Sequence, residues 1–224
     1  MSVTSAMSRC NKNRSQKKTI PLNTNIPSSR PMVRLLSLLV VALMMAACAD
    51  SPPAFHGVDI TGSDWGRDFA LVDHRGQPRR LADFRGQAVM LSFGYTRCPD
   101  ICPTTLAALA EAMKLLGKEA DRVQVLFVTI DPERDSVEHL ATFVPWFDRR
   151  FLGLWGDAAT IAATAQEFHV FYQKQETGSA AGYAMDHTAG SYVFDPQGRL
   201  RLFERHGDSP ESMVADLRLL LAGK

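Results

Sequence analysis

The apolar residues of this chain form two kinds of run. Ala88-Val89-Met90-Leu91-Ser92-Phe93, bounded by Gly86 and Gly94, and residues 123–130, ending at Asp131-Pro132, are almost continuously apolar without alternation. That is the pattern of strands buried on both faces. Between them Leu106, Leu109, Ala110, Met113 and Leu116 recur at steps of three and four, which predicts a helix stopped at Gly117. Strand, helix, strand implies a parallel pair joined by a right-handed crossover.

The rest of the chain continues this alternation. Ser136 is placed to cap a helix burying Val137, Leu140, Ala141 and Val144, which Pro145 must end or kink. Residues 151–155 read as a short strand, Asp157 as the cap of an Ala-rich helix to about Phe168, and His169-Val170-Phe171-Tyr172 as extended. Residues 191–194 and 199–203 flank the turn Asp195-Pro196-Gln197-Gly198 as a hairpin, and Ser209-Pro210 opens a last helix burying Met213, Val214, Leu217, Leu220 and Leu221. Upstream, residues 69–73 and 80–84 flank His74-Arg75-Gly76-Gln77-Pro78, predicting an earlier hairpin. The order is that of an α/β, thioredoxin-like fold with an added N-terminal β-hairpin and an insertion.

Composition adds an appendage to this domain. The chain has 224 residues, 46% hydrophobic and 22% charged, with a net charge of +1. No basic run interleaved with aromatic residues occurs in the folded region, which argues against a nucleic-acid partner. Residues 1–31 are rich in Ser, Asn, Lys and Arg, and residues 35–47 are an apolar block behind Arg34, the length of a signal-peptide core rather than a spanning helix. Met45-Ala46-Ala47-Cys48 resembles a bacterial lipoprotein signal, so Cys48 is expected to carry lipid. Met32-Val33-Arg34 would itself make a compact start, which leaves residues 1–31 as an over-called start or an extended n-region and 32–48 as the signal. Residues 49–64, turn-rich and polar, read as a flexible tether in which His56 is solvated, and 65–224 as the domain.

That assignment removes Cys48 and Cys10 from the exported domain and leaves Cys98 and Cys102. They lie in Phe93-Gly94-Tyr95-Thr96-Arg97-Cys98-Pro99-Asp100-Ile101-Cys102-Pro103, at a strand-to-helix junction with Pro103 in the first helical turn. With Cys102 already in that turn, the spacing of four can bring both sulfurs to the electropositive helix N-terminus, where thiolate is favoured. The pair can be reactive and metal-competent. It can also be a structural disulfide, half of a zinc site or buried thiols, although no second cysteine pair completes a zinc site and a disulfide this short closes little loop entropy.

The first motif, followed by Thr129-Ile130-Asp131-Pro132-Glu133-Arg134-Asp135 and by Asp186-His187-Thr188 leading into Tyr192 and Asp195-Pro196-Gln197-Gly198, resembles the Sco/SenC family from about Trp65 to the C-terminus. The resemblance implies a thioredoxin-like fold, attachment to the membrane on its periplasmic side, and one copper ion, Cu(I) or Cu(II), held by Cys98, Cys102 and His187. It also implies a role in assembling cytochrome c oxidase through subunit II, with another protein as copper donor. Thr188 stands where Ser is more usual. Two thiolates and an imidazole suit copper on chemical grounds as well. No proline lies between Lys174 and Asp195, where thioredoxin-fold oxidoreductases usually carry one facing the cysteines. Asp186 or Asp131 is a candidate to orient the imidazole, Met185 is expected in the core if its stretch is extended, and His74, His139 and His169 are expected to be turn, solvated and strand-edge residues. A dedicated thiol-disulfide reductase, with Cys98 attacking and Cys102 resolving, and a copper or redox sensor are the competing classes.

Overall fold

A computed structural model of the chain describes residues 54–179 and 182–224, within the compact unit Pro52–Lys224. The expected signal, the start at Met32, Cys10 and Cys48 lie outside the described residues. Strands β1 (Val58–Asp59), β2 (Leu71–Asp73), β3 (Pro78–Arg79), β4 (Ala88–Gly94), β5 (Val123–Thr129), β6 (Leu152–Trp155), β9 (Gly190–Phe194) and β10 (Leu200–Arg205) form one sheet in the order β1-β10-β9-β4-β5-β6-β2-β3. A separate two-stranded hairpin comprises β7 (Tyr172–Ser179) and β8 (Gly182–His187). Helices α1 (Ile101–Leu116), α2 (Val137–Phe147), α3 (Ala158–Glu167) and α4 (Pro210–Leu221) complete the fold.

Strands β4 and β5, the uninterrupted apolar runs, are neighbours in parallel at the sheet centre, and all seven residues of β4 are buried. Strand β6 extends the parallel set, while β9 pairs antiparallel to β4 on its other side. Covering both faces is what such strands require. Leu106, Leu109 and Met113 of α1 and Leu217 and Leu220 of α4 lie in the same buried core as Leu91, Phe127 and Phe194. The caps fall where the sequence placed them: Ser136 accepts from the His139 amide, Asp157 from Thr160 and Ser209 from Ser212. This is the expected α/β, thioredoxin-like arrangement.

Local details add to or change this reading. The early hairpin is shorter than expected, because residues 81–84 turn into a 3-10 helix that buries Leu81 and Phe84 against the core. Pro145 lies inside α2, which continues only to Phe147, as expected where a missing amide breaks the ladder within a turn. His169 is no strand-edge residue: it has φ +54°, follows α3 and stacks its ring on Trp65 at 4.9 Å. Hairpin β7–β8 has few sequence signals, since residues 173–178 of β7 are all exposed and carry no apolar alternation.

The stretch read as a tether ends differently too. Val58–Asp59 pairs with β10 at the sheet edge. The buried Asp216 carboxylate accepts from the amides of His56, at 2.9 Å, and Gly57, at 2.8 Å, and contacts His56 Nδ1 at 2.9 Å. Residues 54–64 are therefore part of the packed domain. Cutting the chain to 65–224 strips Asp216 of these donors and β10 of its edge partner. Such a fragment is expected to be less stable than 52–224 by about 2–4 kcal/mol; urea denaturation of the two checks this, and equal midpoints would contradict it.

Candidate metal centre

The cysteines hang from the loop between β4 and α1. Gly94 closes β4, and a Cβ there would stand 2.8 Å from Cys102 Sγ and 2.7 Å from the Phe127 ring. The glycine thus lets the first turn of α1 settle directly on the sheet, which buries Cys102 to 3% exposure. Cys98 precedes the helix and is half-buried. No disulfide joins the pair, and the Cys102 amide donates to Cys98 Sγ at 3.3 Å. One of the unpaired N–H groups of the helix start is therefore spent on sulfur.

This makes the two thiols unequal. A hydrogen bond from the Cys102 thiol, then bonds from His187 and from the Asp100 and Cys102 amides, hold the Cys98 thiol well below the ordinary thiol range, against the opposing effect of burial. The same bond to Cys98, together with burial, pushes the Cys102 thiol up. The pair keeps one proton, on the buried sulfur.

His187 arrives from the end of β8. Its Nε2 lies 3.5 Å from Cys102 Sγ, and its Nδ1 is 2.9 Å from the Thr188 carbonyl. Because a carbonyl can only accept, Nδ1 carries a proton, and Nε2 faces the sulfurs. Burial works against the imidazolium, but the Cys98 sulfur and the Thr188 carbonyl outweigh it and raise the pKa of His187. The three candidate ligand atoms lie within 4.8 Å of one another. Metal bonds of about 2.0–2.3 Å place trigonal ligand atoms roughly 3.5–4.0 Å apart, so the trio needs little contraction to close on an ion.

Neither carboxylate proposed to orient the imidazole does so. Asp186 is exposed, and Asp131, 1% exposed, is committed elsewhere. It pairs with Arg134 Nε and accepts from Tyr183 Oη at 2.8 Å. The Arg134 guanidinium, with its side chain 12% exposed, lies 3.6 Å over the Tyr183 ring, donates to the Tyr183 carbonyl at 2.7 Å and stands 5.7 Å from the Tyr95 ring. Asp135, fully buried, accepts from the Thr96 amide at 2.9 Å and from the hydroxyls of Thr96 and Thr129. The loop after β5 thereby holds the cysteine loop through Thr96 and the histidine hairpin through Tyr183. Met185 is in the core, as expected, and His74 accepts from the Gly153 amide at 2.9 Å. His139 is exposed, with Nδ1 on the Arg134 carbonyl. The supporting roles of Tyr95, Arg134, Asp135 and Tyr183 carry no periodic or compositional signal; Tyr95 falls within the motif 93–103, Arg134 and Asp135 within 129–135, and Tyr183 within neither.

The SCO1/SenC family profile matches residues 58–222. The chain belongs to the SCO1/SenC family. A mitochondrial SCO2 homolog of Mus musculus is 40% identical over 157 residues, 69% of this chain and 62% of the mouse protein. An SCO2-like protein of Rickettsia conorii is 32% identical over 154 residues, 68% of this chain and 75% of its own. The match thus spans about three fifths of the mouse relative's length. Among solved members, copper-bound ScoI of Bradyrhizobium japonicum superposes with TM-score 0.65 at 36% identity, over 71% of this chain and 100% of its own. Apo Sco1 of Thermus thermophilus gives 0.67 at 41% identity, over 77% and 100%. Both solved chains are covered over their whole length by the match.

Two outcomes check the geometry. Alkylation of Cys98 by iodoacetamide is expected to stay nearly constant from pH 8 to pH 5, where an ordinary thiol of pKa about 8.5 loses reactivity roughly tenfold per unit; that tenfold fall at Cys98 would contradict its anionic state. Arg134→Ala strands the buried Asp131 and should cost about 3 kcal/mol in urea unfolding. Its signature is faster amide exchange in β7–β8 than in β4, and unchanged hairpin exchange would contradict the joint.

Proposed function

We propose that this chain is a membrane-tethered copper metallochaperone that holds one copper ion through Cys98, Cys102 and His187 and passes it to the binuclear copper site of cytochrome c oxidase subunit II. Cys48, as the lipidated anchor, keeps it on the periplasmic side, and another protein loads it. The observation that carries this reading is the convergence of two sulfurs and Nε2 within 4.8 Å. Membership of a family whose solved relatives from Bradyrhizobium japonicum and yeast hold copper supports it.

The donors suit the cargo. Thiolates select Cu(I), and the imidazole lets the same site accept Cu(II). Cys98 is held in the thiolate range, so among the sulfurs loading displaces a proton only from Cys102. Three protein ligands leave a position for an incoming thiolate, so the ion can leave by stepwise exchange without electron transfer. Oxidation of Cys98 and Cys102 to a disulfide would remove two of the three ligands.

A second reading rests on the inequality of the thiols. An accessible thiolate beside a buried, protonated partner is also the arrangement of an attacking and a resolving cysteine. As a reductase the protein would give up two electrons, its dithiol closing to a disulfide while one disulfide of subunit II opens to two thiols.

Anaerobic titration of reduced 52–224 with Cu(I), against a chelator of known affinity, separates the two. One equivalent is expected for the wild type, with binding weakened about a hundredfold or more in Cys98→Ser, Cys102→Ser and His187→Ala, since each loses a ligand. Undiminished binding in His187→Ala would remove it from the site. A wild type that holds no copper yet reduces oxidised subunit II, with His187→Ala equally active, would replace this reading by the reductase.

A further inference from the structure

Beside Cys98 the surface opens into a groove of about 410 Å³ lined by Thr96, Arg97, His139, Thr142, Phe143 and Trp146. Trp146 is 81% exposed, the most exposed of the large hydrophobic side chains among the described residues. Its ring meets Phe147 edge-on at 5.2 Å, and Phe143, partly buried, leads from there down to Phe127 of the core. An indole left in water forfeits the burial energy of one of the largest apolar surfaces a residue carries. A groove so made is a recognition feature when something must dock beside it.

The groove also carries a charge. Arg97 is exposed and makes no ion pair among the described residues, and none of the lining residues is acidic. Thr96 and Arg97 are the two residues before Cys98, and Asp135 pins Thr96 to the core. The groove therefore borders the cysteine loop, because two of its lining residues directly precede Cys98 and one of them is fastened to the core. An extended chain advances about 3.4 Å per residue. A segment lying on Trp146 and Phe143 thus needs only a few more residues to follow the groove to Thr96 and Arg97, the residues next to Cys98.

Resting on the metallochaperone reading above, we infer that this groove docks the cysteine-bearing segment of the copper acceptor, which seats an apolar side chain on Trp146 and Phe143 and a carboxylate on Arg97. The acceptor's thiolates are themselves anionic, so Arg97 also attracts what must approach the metal. The aromatic wall supplies residence time. Arg97 supplies register and a salt-dependent on-rate.

Calorimetry between copper-loaded 52–224 and the purified apo copper domain of subunit II, at low and moderate salt, tests this. Trp146→Ala should weaken binding by roughly tenfold or more, and Arg97→Glu should weaken it and abolish the gain at low salt. Leu115→Ala, an exposed apolar truncation at the far end of α1, should bind as the wild type does, and all three should still hold one copper. Wild-type affinity in both Trp146→Ala and Arg97→Glu overturns the groove and leaves the metallochaperone intact. A wild type that holds copper but does not bind subunit II overturns the partner and the groove together. Self-association lost in Trp146→Ala, or a Trp146 indole already shielded in the full chain alone, assigns the face to a second copy or to the chain's own N-terminal segment, and either also overturns the inference.

Discussion

The Asp131–Arg134 ion pair is the joint on which the candidate metal centre depends. A buried pair of this kind adds little net stability over apolar packing. Its effect here is geometric. Arg134 touches Tyr183 of the histidine hairpin by both carbonyl and ring, and it faces Tyr95 of the cysteine loop. Asp131 takes the Tyr183 hydroxyl from the other side, while Asp135, four residues on, fastens Thr96. Two segments far apart in sequence are thus referred to one short loop. The loop in turn is fixed by the end of β5, a strand buried over nearly its whole length. Tyr95 is packed edge-on against the His187 ring at 6.2 Å, so the same contacts that bring the hairpin in also set the angle of the imidazole.

That joint explains what the sequence could and could not convey. Strands β4 and β5 and helices α1, α3 and α4 are legible because their burial is complete and periodic, and their caps use the ordinary Ser and Asp chemistry. The cysteines are legible because their type and spacing are chemical statements in themselves. His187 is not. Its role depends on a hairpin whose β7 residues face solvent, and nothing in local spacing says that such a hairpin folds back over α1. The case for His187 rests mainly on resemblance to a family, helped by the absence of a proline between Lys174 and Asp195. The orienting group was misassigned for a related reason: a carboxylate next to a histidine is the obvious partner, whereas the structure uses the Thr188 carbonyl, an atom every residue possesses and no pattern distinguishes. The stretch 54–59 misleads in the opposite direction, because a two-residue edge strand and amides bound to Asp216 leave no hydrophobic signature.

The chemistry of the centre follows from unequal environments for like groups. One sulfur faces outward with amide and thiol donors aimed at it and is anionic. The other is sealed beneath Gly94 and keeps its proton. A histidine whose Nδ1 is already committed offers the nitrogen that faces them. The site is therefore assembled on its interior side and open on its solvent side, as the proposed transfer of an ion requires. X-ray absorption of the Cu(I)-loaded domain 52–224 tests this most directly. The account predicts one copper bound by two sulfurs and one imidazole nitrogen, with the imidazole scattering lost in His187→Ala. A two-sulfur site with no nitrogen, or the same spectrum with His187 removed, would contradict it.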